Sequence, residues 1–469
     1  MNVKSWKEGS AGEPSFPSDF EVIKNAVLQV TDIETNRNKY YSIELHRAKG
    51  GKFRVYTHYG RTDDLDTNPD AGIRESRYLD SLAEAEGVYD QIYRQKTSAR
   101  KGYKEVNLAS SKIGSQKVRG KSSGVVDQKT IDKLKSNGTK KTAKKIPTVI
   151  LDPSVQDLVA LLYGDATKAL TSAVNATITA NGIETPLGVL TMGQIDKGQD
   201  ILDNLSTTFQ SDTRNKQDLL VKLSGEFYTV IPHRFGRSRS AAEAAVINTA
   251  QQINDKNDTL QLMRDMLNVN GAENVLVNPE IEQKYLALGC NISTVDAATF
   301  KQIKDLLEKS VVKSWSKVKV QNVWKIDRPS EVKNFTTTVK NKRNLFHGSS
   351  AKNWVGILSR GLLMPKTVVS LGVKRTDAGW LGNGIYFGDA ACTSAYYAGP
   401  SKRNTRFIAV ADVALGKMKD FRKITYGLNS PPQGYDSCHG VRGSEFDDDE
   451  YVIYNQNQQK LKYLVECKQ

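Results

Sequence analysis

Gly384-Ile385-Tyr386-Phe387-Gly388 is a short apolar run with a tyrosine at its centre. Two other runs share its character: Leu345-Phe346-His347-Gly348-Ser349, and Glu450-Tyr451-Val452-Ile453-Tyr454 behind three aspartates. In each, one residue with chemical capability stands in a strand-like setting. Ser316–Lys325, Thr405–Ala414 and Lys460–Cys467 add further short strands. Gly/Pro-rich stretches separate them, and a helical run near Ala298–Leu307 precedes them. This spacing predicts a mixed or antiparallel sheet over 273–469, not repeating βαβ units. No Gly-x-Gly-x-x-Gly or Walker A stretch accompanies it, so neither hydride transfer on a doubly wound sheet nor a P-loop ATPase is supported.

Working outward, 147–272 reads as helical. Asp152-Pro153-Ser154 starts a run in which apolar residues recur at i, i+3, i+4 and i+7, with proline in the first turn. Further helical runs are expected over 191–209, 213–225, 240–253 and 255–268. No acid or histidine pair stands out on a helix face, so this piece reads as a bundle without chemistry of its own. Residues 26–115 read as a small α+β unit. Lys39–Leu45 and Phe53–Tyr59 alternate around Gly50-Gly51, a hairpin signal, and Leu82, Ala85, Val88/Tyr89 and Ile92 share a helix face. Residues 1–25 are polar and read as a flexible start.

At 469 residues the chain is too long for one ordinary domain. Its formal net charge of +15 is concentrated: 91–146 holds 16 Lys/Arg against three acids. Such a field suits a polyanion, although a solvated linker over 116–146 has the same composition. The four cysteines lack paired spacing, which argues against a zinc module or disulfide framework and suits a reducing compartment. No run reaches ~18 apolar residues, and the first 20 residues lack a signal-peptide core, so no membrane partner is expected. Lys140-Lys141-Thr142-Ala143-Lys144-Lys145 is a short basic cluster of the nuclear-address kind. The expected location is nuclear in a eukaryote and cytoplasmic otherwise.

His347, Tyr386 and Glu450 together resemble the His-Tyr-Glu signature of the poly(ADP-ribose) polymerases. The likeness extends over nearly all of the chain. Asn38-Lys39-Tyr40-Tyr41 and His58-Tyr59-Gly60-Arg61 resemble the WGR domain, with Tyr59 where the name-giving tryptophan stands. Phe227-Tyr228-Thr229-Val230-Ile231-Pro232-His233 resembles the family's autoinhibitory regulatory domain. Gly434-Tyr435-Asp436-Ser437-Cys438-His439-Gly440 is most similar to the vault-associated branch, whereas the WGR domain suggests the DNA-dependent branch. The implied architecture is multidomain α+β: a flexible 1–25, a small α+β WGR domain at 26–115, a basic linker at 116–146, an all-α regulatory bundle at 147–272, and a β-rich ADP-ribosyltransferase domain at 273–469.

The resemblance implies NAD+ as substrate and no metal. His347 would donate to the adenosine-side ribose, and Gly348, with neighbouring Ser349, would let the backbone meet the nicotinamide amide, to which Ser394 donates. Tyr386 and Tyr397 would sandwich the nicotinamide ring. Glu450 would stabilise the cationic ribose and help activate the acceptor. Asn383 stands where the family usually has lysine and would make a reduced contact with acceptor or pyrophosphate. Tyr59, Gly60 and Arg61 would meet DNA strand breaks or ends. Taken singly, His347 or either tyrosine would more often be an ordinary interior residue. The leading expectation is a DNA-stimulated transferase that modifies proteins, itself included, and extends the product into chains. Transfer of a single ADP-ribose, and a non-enzymatic nucleic-acid-binding protein, are the alternatives.

Overall fold

The computed structural model describes residues 3–121, 150–174, 176–179, 182–233, 238–270, 281–310, 317–364 and 379–469. The Lys140–Lys145 cluster and most of the basic linker expected at 116–146 lie outside them. The chain divides into two compact units: the first 147 residues with Thr171–Thr249, and Thr148–Leu170 with Ala250–Gln469. The helical stretch expected at 147–272 is therefore shared between them. No helix among the described residues is long and apolar enough to cross a membrane.

In the first unit, β1 (Trp6–Lys7), β2 (Glu21–Asp32), β3 (Arg37–Arg47), β4 (Phe53–Arg61), β5 (Ile73–Leu79) and β6 (Lys104–Glu105) form a sheet in the order β1-β5-β4-β3-β2-β6. The expected hairpin is β3–β4, paired from Lys39↔Arg61 to Arg47↔Phe53. Its turn uses Gly50 and Gly51 at φ 90° and 77°, a conformation that a Cβ disfavours. Leu28, Ile43, Leu45 and Val55 face helix α1 (Leu82–Thr97), which buries Ala85, Val88, Tyr89 and Ile92. Leu82, expected on that face, is 37% exposed: it occupies the first helical position, just after the Ser81 cap. The start expected to be flexible contributes β1 and the beginning of β2.

A second small sheet joins β7 (Leu108–Ser111), β8 (Thr177–Thr179), β9 (Gly182–Glu184) and β10 (Gly188–Leu190), strands that helical periodicity does not announce. They flank helix α2 (Pro153–Val174) and precede α3 (Met192–Gln210) and α4 (Lys216–Val230). Small residues let α4 dock on β2. A Cβ on Gly225 would lie 2.9 Å from the Thr31 carbonyl, and the Thr31 N–H donates to Thr229 Oγ1 at 2.8 Å. The helix expected at 240–253 is instead a short α5 (Arg239–Ala244), followed by a non-helical stretch. There Ser224 Oγ accepts from Ile247 N at 2.9 Å and Tyr228 Oη donates to the Ala245 carbonyl, so side chains replace the helical ladder. Helix α6 (Ala250–Asn270) then runs unbroken through the expected gap at 254.

The second unit carries α7 (Ile281–Ala287), β11 (Asn291–Thr294), α8 (Ala297–Lys309), β12 (Lys319–Asp327), α9 (Pro329–Asn334), β13 (Lys342–Ser349), α10 (Trp354–Arg360), β14 (Ile385–Gly388), α11 (Ala391–Tyr397), β15 (Arg406–Ala414), β16 (Met418–Phe421), β17 (Ser437–Gly440), β18 (Glu450–Ile453) and β19 (Gln459–Lys468). Among the described residues its nine strands run β11-β12-β19-β15-β13-β14-β18-β17-β16, antiparallel except for β16–β17. Phe346, Ile408, Val410 and Val465 pack one face against α8 and α11.

Candidate functional site

Sheet register brings the sequence-predicted residues together. Phe346↔Gly388 joins β13 to β14, and Tyr386↔Val452 and Gly388↔Glu450 join β14 to β18. His347, Gly348 and Ser349, Tyr386, Ser394 and Tyr397, and Glu450 consequently line one cavity of about 270 Å³.

Each side chain has a local reason for its pose. His347 Nδ1 lies 2.9 Å from the Tyr386 carbonyl. A carbonyl only accepts, so Nδ1 carries the proton of this bond. Tyr386 is fixed at its far end, where Oη donates to the Gly382 carbonyl at 2.8 Å and accepts from Leu381 N at 2.9 Å. Gly348 has a packing reason to lack a side chain: a Cβ there would lie 1.7 Å from the Ser394 carbonyl oxygen, against α11. Glu450 sits between two glycines in register, Gly388 and Gly440, so neither lateral neighbour crowds its carboxylate.

Asn383 does not join them. It is buried, donates Nδ2 to Asn429 Oδ1 at 2.6 Å, and gives its backbone N–H to the Leu428 carbonyl. The short amide is engaged by the neighbouring loop and does not line the cavity.

Sequence reasoning missed the opposite wall. Asp258, Gln261, Leu262 and Asp265 of α6 line the cavity, at the i, i+3, i+4 and i+7 spacing of one helix face. Arg360 of α10 grips Asp265 with both ends of its fork, Nε to Oδ1 at 2.6 Å and Nη2 to Oδ2 at 2.9 Å. The helices come this close because Gly356 faces Asp265, whose Oδ2 would lie 2.0 Å from a Cβ. The two acids on that face were the signal available in the sequence.

In the first unit, Tyr59, Gly60 and Arg61 line a second, open cavity of about 830 Å³, together with Lys39, Lys96 and Arg100. Tyr59 stacks on Tyr41, with centroids 5.2 Å apart and planes at 14°, and Lys96 Nζ lies 3.9 Å over the Tyr41 ring. The Tyr59 hydroxyl donates to Glu75 at 3.0 Å. Arg61 is committed to the protein: it bonds Asp63 at 2.7 Å and both oxygens of Asn36. Burial and the nearby Lys101 lower Lys96 to about 8. The cations from α1 and the hairpin edge were not singled out from sequence.

Comparison with known families matches residues 24–110 to the WGR domain, 150–282 to the poly(ADP-ribose) polymerase regulatory domain, and 297–447 to the poly(ADP-ribose) polymerase catalytic domain. Human protein mono-ADP-ribosyltransferase PARP4 is 29% identical over 96% of this chain, which spans only 24% of that relative's length. Human protein mono-ADP-ribosyltransferase PARP3 is 25% identical, covering 94% of this chain and 87% of its own. Poly [ADP-ribose] polymerase 2-A of Oryza sativa subsp. japonica is 26% identical, over 94% of this chain and 69% of its own. With WGR, regulatory and catalytic domains in order along one chain, the protein belongs to the poly(ADP-ribose) polymerase family.

Proposed function

We propose that this chain transfers single ADP-ribose units from NAD+ to protein acceptors, itself included, and releases nicotinamide. The observation that carries the reading is the convergence of His347, Tyr386 and Glu450 on one cavity of the catalytic domain. The bond between nicotinamide and the ribose C1′ breaks, and the ring leaves as neutral nicotinamide with the electron pair. Positive charge then develops on the sugar, where the Glu450 carboxylate stabilises it. An acceptor nucleophile closes on C1′ and loses its proton, for which Glu450 is the positioned base. His347 holds the ribose, and Tyr386 and Tyr397 flank the nicotinamide.

The expectation of chain growth gives way to single transfer. PARP4 and PARP3, which both match over more than nine-tenths of this chain, are named mono-ADP-ribosyltransferases. The intact His-Tyr-Glu set governs bond cleavage, whereas growth also needs a grip on an anionic acceptor. At 383 this chain places a buried amide bonded to Asn429, where the family usually has lysine. The product distinguishes the two. After reaction with adenylate-labelled NAD+, cleavage of pyrophosphate bonds releases AMP from single units, and phosphoribosyl-AMP from the interior of chains. AMP alone is expected; abundant phosphoribosyl-AMP would refute single transfer.

His347→Ala is expected to weaken NAD+ binding about tenfold, because it removes a ground-state hydrogen bond and the tie to the Tyr386 carbonyl. Calorimetric titration reads this directly, and an unchanged Kd would remove His347 from the binding surface.

The basic cavity of the first unit supports DNA breaks as partner, bound through phosphates with little sequence reading. Lys96 gives this a pH signature. A phosphate beside it favours the charged form, so the pKa in the complex exceeds the free value of about 8. Affinity is then greatest below pH 8 and falls as pH rises through the pKa of the complex. Anisotropy with a nicked duplex should show about fivefold weaker binding at pH 9 than at pH 7, and Lys96→Arg should flatten that change. A pH-independent affinity in the unaltered chain would place Lys96 outside the interface. Control by the helical region has a physical means, since α6 forms one wall of the NAD+ cavity.

A further inference from the structure

We propose that His439 is a positioning residue for Glu450, acting as a clamp on the strand that carries the carboxylate. The inference rests on the role of Glu450 given above.

His439 lies on β17, opposite Asp420 of β16 and opposite Tyr451 of β18, so the next residue, Gly440, faces Glu450 itself. Its ring lies flat on Tyr451, with centroids 4.7 Å apart and planes at 6°. Nδ1 meets Asp420 Oδ1 and Nε2 meets Asp449 Oδ1, both at 2.9 Å. The ring thus bridges two carboxylates, one at each nitrogen. The side chain is 15% exposed, so water does little to replace a lost contact.

The residues it grips bracket Glu450 in sequence. Asp449 precedes it, and its Oδ1 also accepts from Arg442 N at 3.0 Å. Burial pushes the Asp449 carboxyl up, but the Arg442 N–H and His439 outweigh this and hold it below its ordinary range. Tyr451 follows Glu450. Its hydroxyl accepts from Arg343 of β13 and donates to Asp389 just beyond β14, both at 3.3 Å. Burial, then Asp449, raises the Asp389 carboxyl. The charged and titratable groups around His439 are thus Asp420 from β16, Asp449 and Arg442 from the 441–449 connection, and Tyr451 from β18, with Arg343 and Asp389 behind it. Without the imidazole ring both ties and the stack on Tyr451 are lost, and the turn that aims Glu450 loses a support.

The test is kcat and KM for nicotinamide release from labelled NAD+. His439→Gln should lower kcat about tenfold and leave KM for NAD+ within about twofold. Asp449→Asn should lower kcat to a similar extent, and the double variant should be no worse than either, since both remove one contact. Asp449→Asn carries the same prediction if His439→Gln does not fold. A His439→Gln protein with unaltered kcat overturns the proposal. So does one in which kcat, NAD+ affinity and melting temperature all fall together, because that marks a structural role only. Glu450→Gln separates the two readings: if it turns over normally, the role of Glu450 fails; if it is inactive while His439→Gln is normal, only the clamp fails.

Discussion

Glu450→Gln is expected to lower the rate of ADP-ribose transfer about 100- to 1000-fold while leaving NAD+ affinity within about threefold. Glutamine matches glutamate in shape, and the lateral neighbours of this position are glycines, so the strand has no steric reason to move. What is lost is negative charge where the sugar turns cationic. That interaction is stronger in the transition state than in the ground state, and its removal therefore appears in kcat. Nicotinamide release over time, with Kd from calorimetry, separates the two quantities. A variant with near-normal kcat would show that another group stabilises the sugar.

Arg360→Ala is expected to destabilise the second unit by about 3 kcal/mol, because it strands a buried carboxylate. The Asp265 side chain is 3% exposed, and without Arg360 the Gln261 amide, at 2.9 Å, is the remaining hydrogen bond described to it. In a unit of this size that corresponds to a melting temperature lower by about 9 °C. Replacing both members, as in Arg360→Leu with Asp265→Leu, should recover most of the loss, since an apolar pair leaves no unpaired charge. A single variant melting within about 2 °C of the unaltered protein would show that Asp265 finds another partner. Because both residues also line the cavity, NAD+ affinity should fall in the single variant.

The sheet was legible where the pattern is plain. The β3–β4 hairpin follows from period-two alternation across Gly50-Gly51, and His347, Tyr386 and Glu450 each stand in an apolar, strand-like run that proves to be paired in the sheet. Residues whose role depends on what packs opposite them were not. Asp258 and Asp265 look like a solvated helix face, and only the close approach of α10 over Gly356 turns them into a cavity wall. Asn383 follows the motif order but turns to Asn429, because a side chain this short is decided by its nearest loop. His439 drew notice only for its place in a family-like run, since its partner Asp420 is set by the one parallel pairing in the sheet. The break after α5 was hidden because Ser224 and Tyr228, more than fifteen residues upstream, supply the hydrogen bonds that end the helix.

The most direct test of the account follows two labels through one reaction. The chain is incubated with NAD+ labelled in the adenylate in one sample and in the nicotinamide in another, with and without nicked DNA, beside Glu450→Gln. The account predicts adenylate label bound covalently to protein, nicotinamide label released in equal amount, and both processes about 100- to 1000-fold slower in the glutamine variant. A folded, NAD+-binding protein that leaves both labels in intact NAD+ would contradict it.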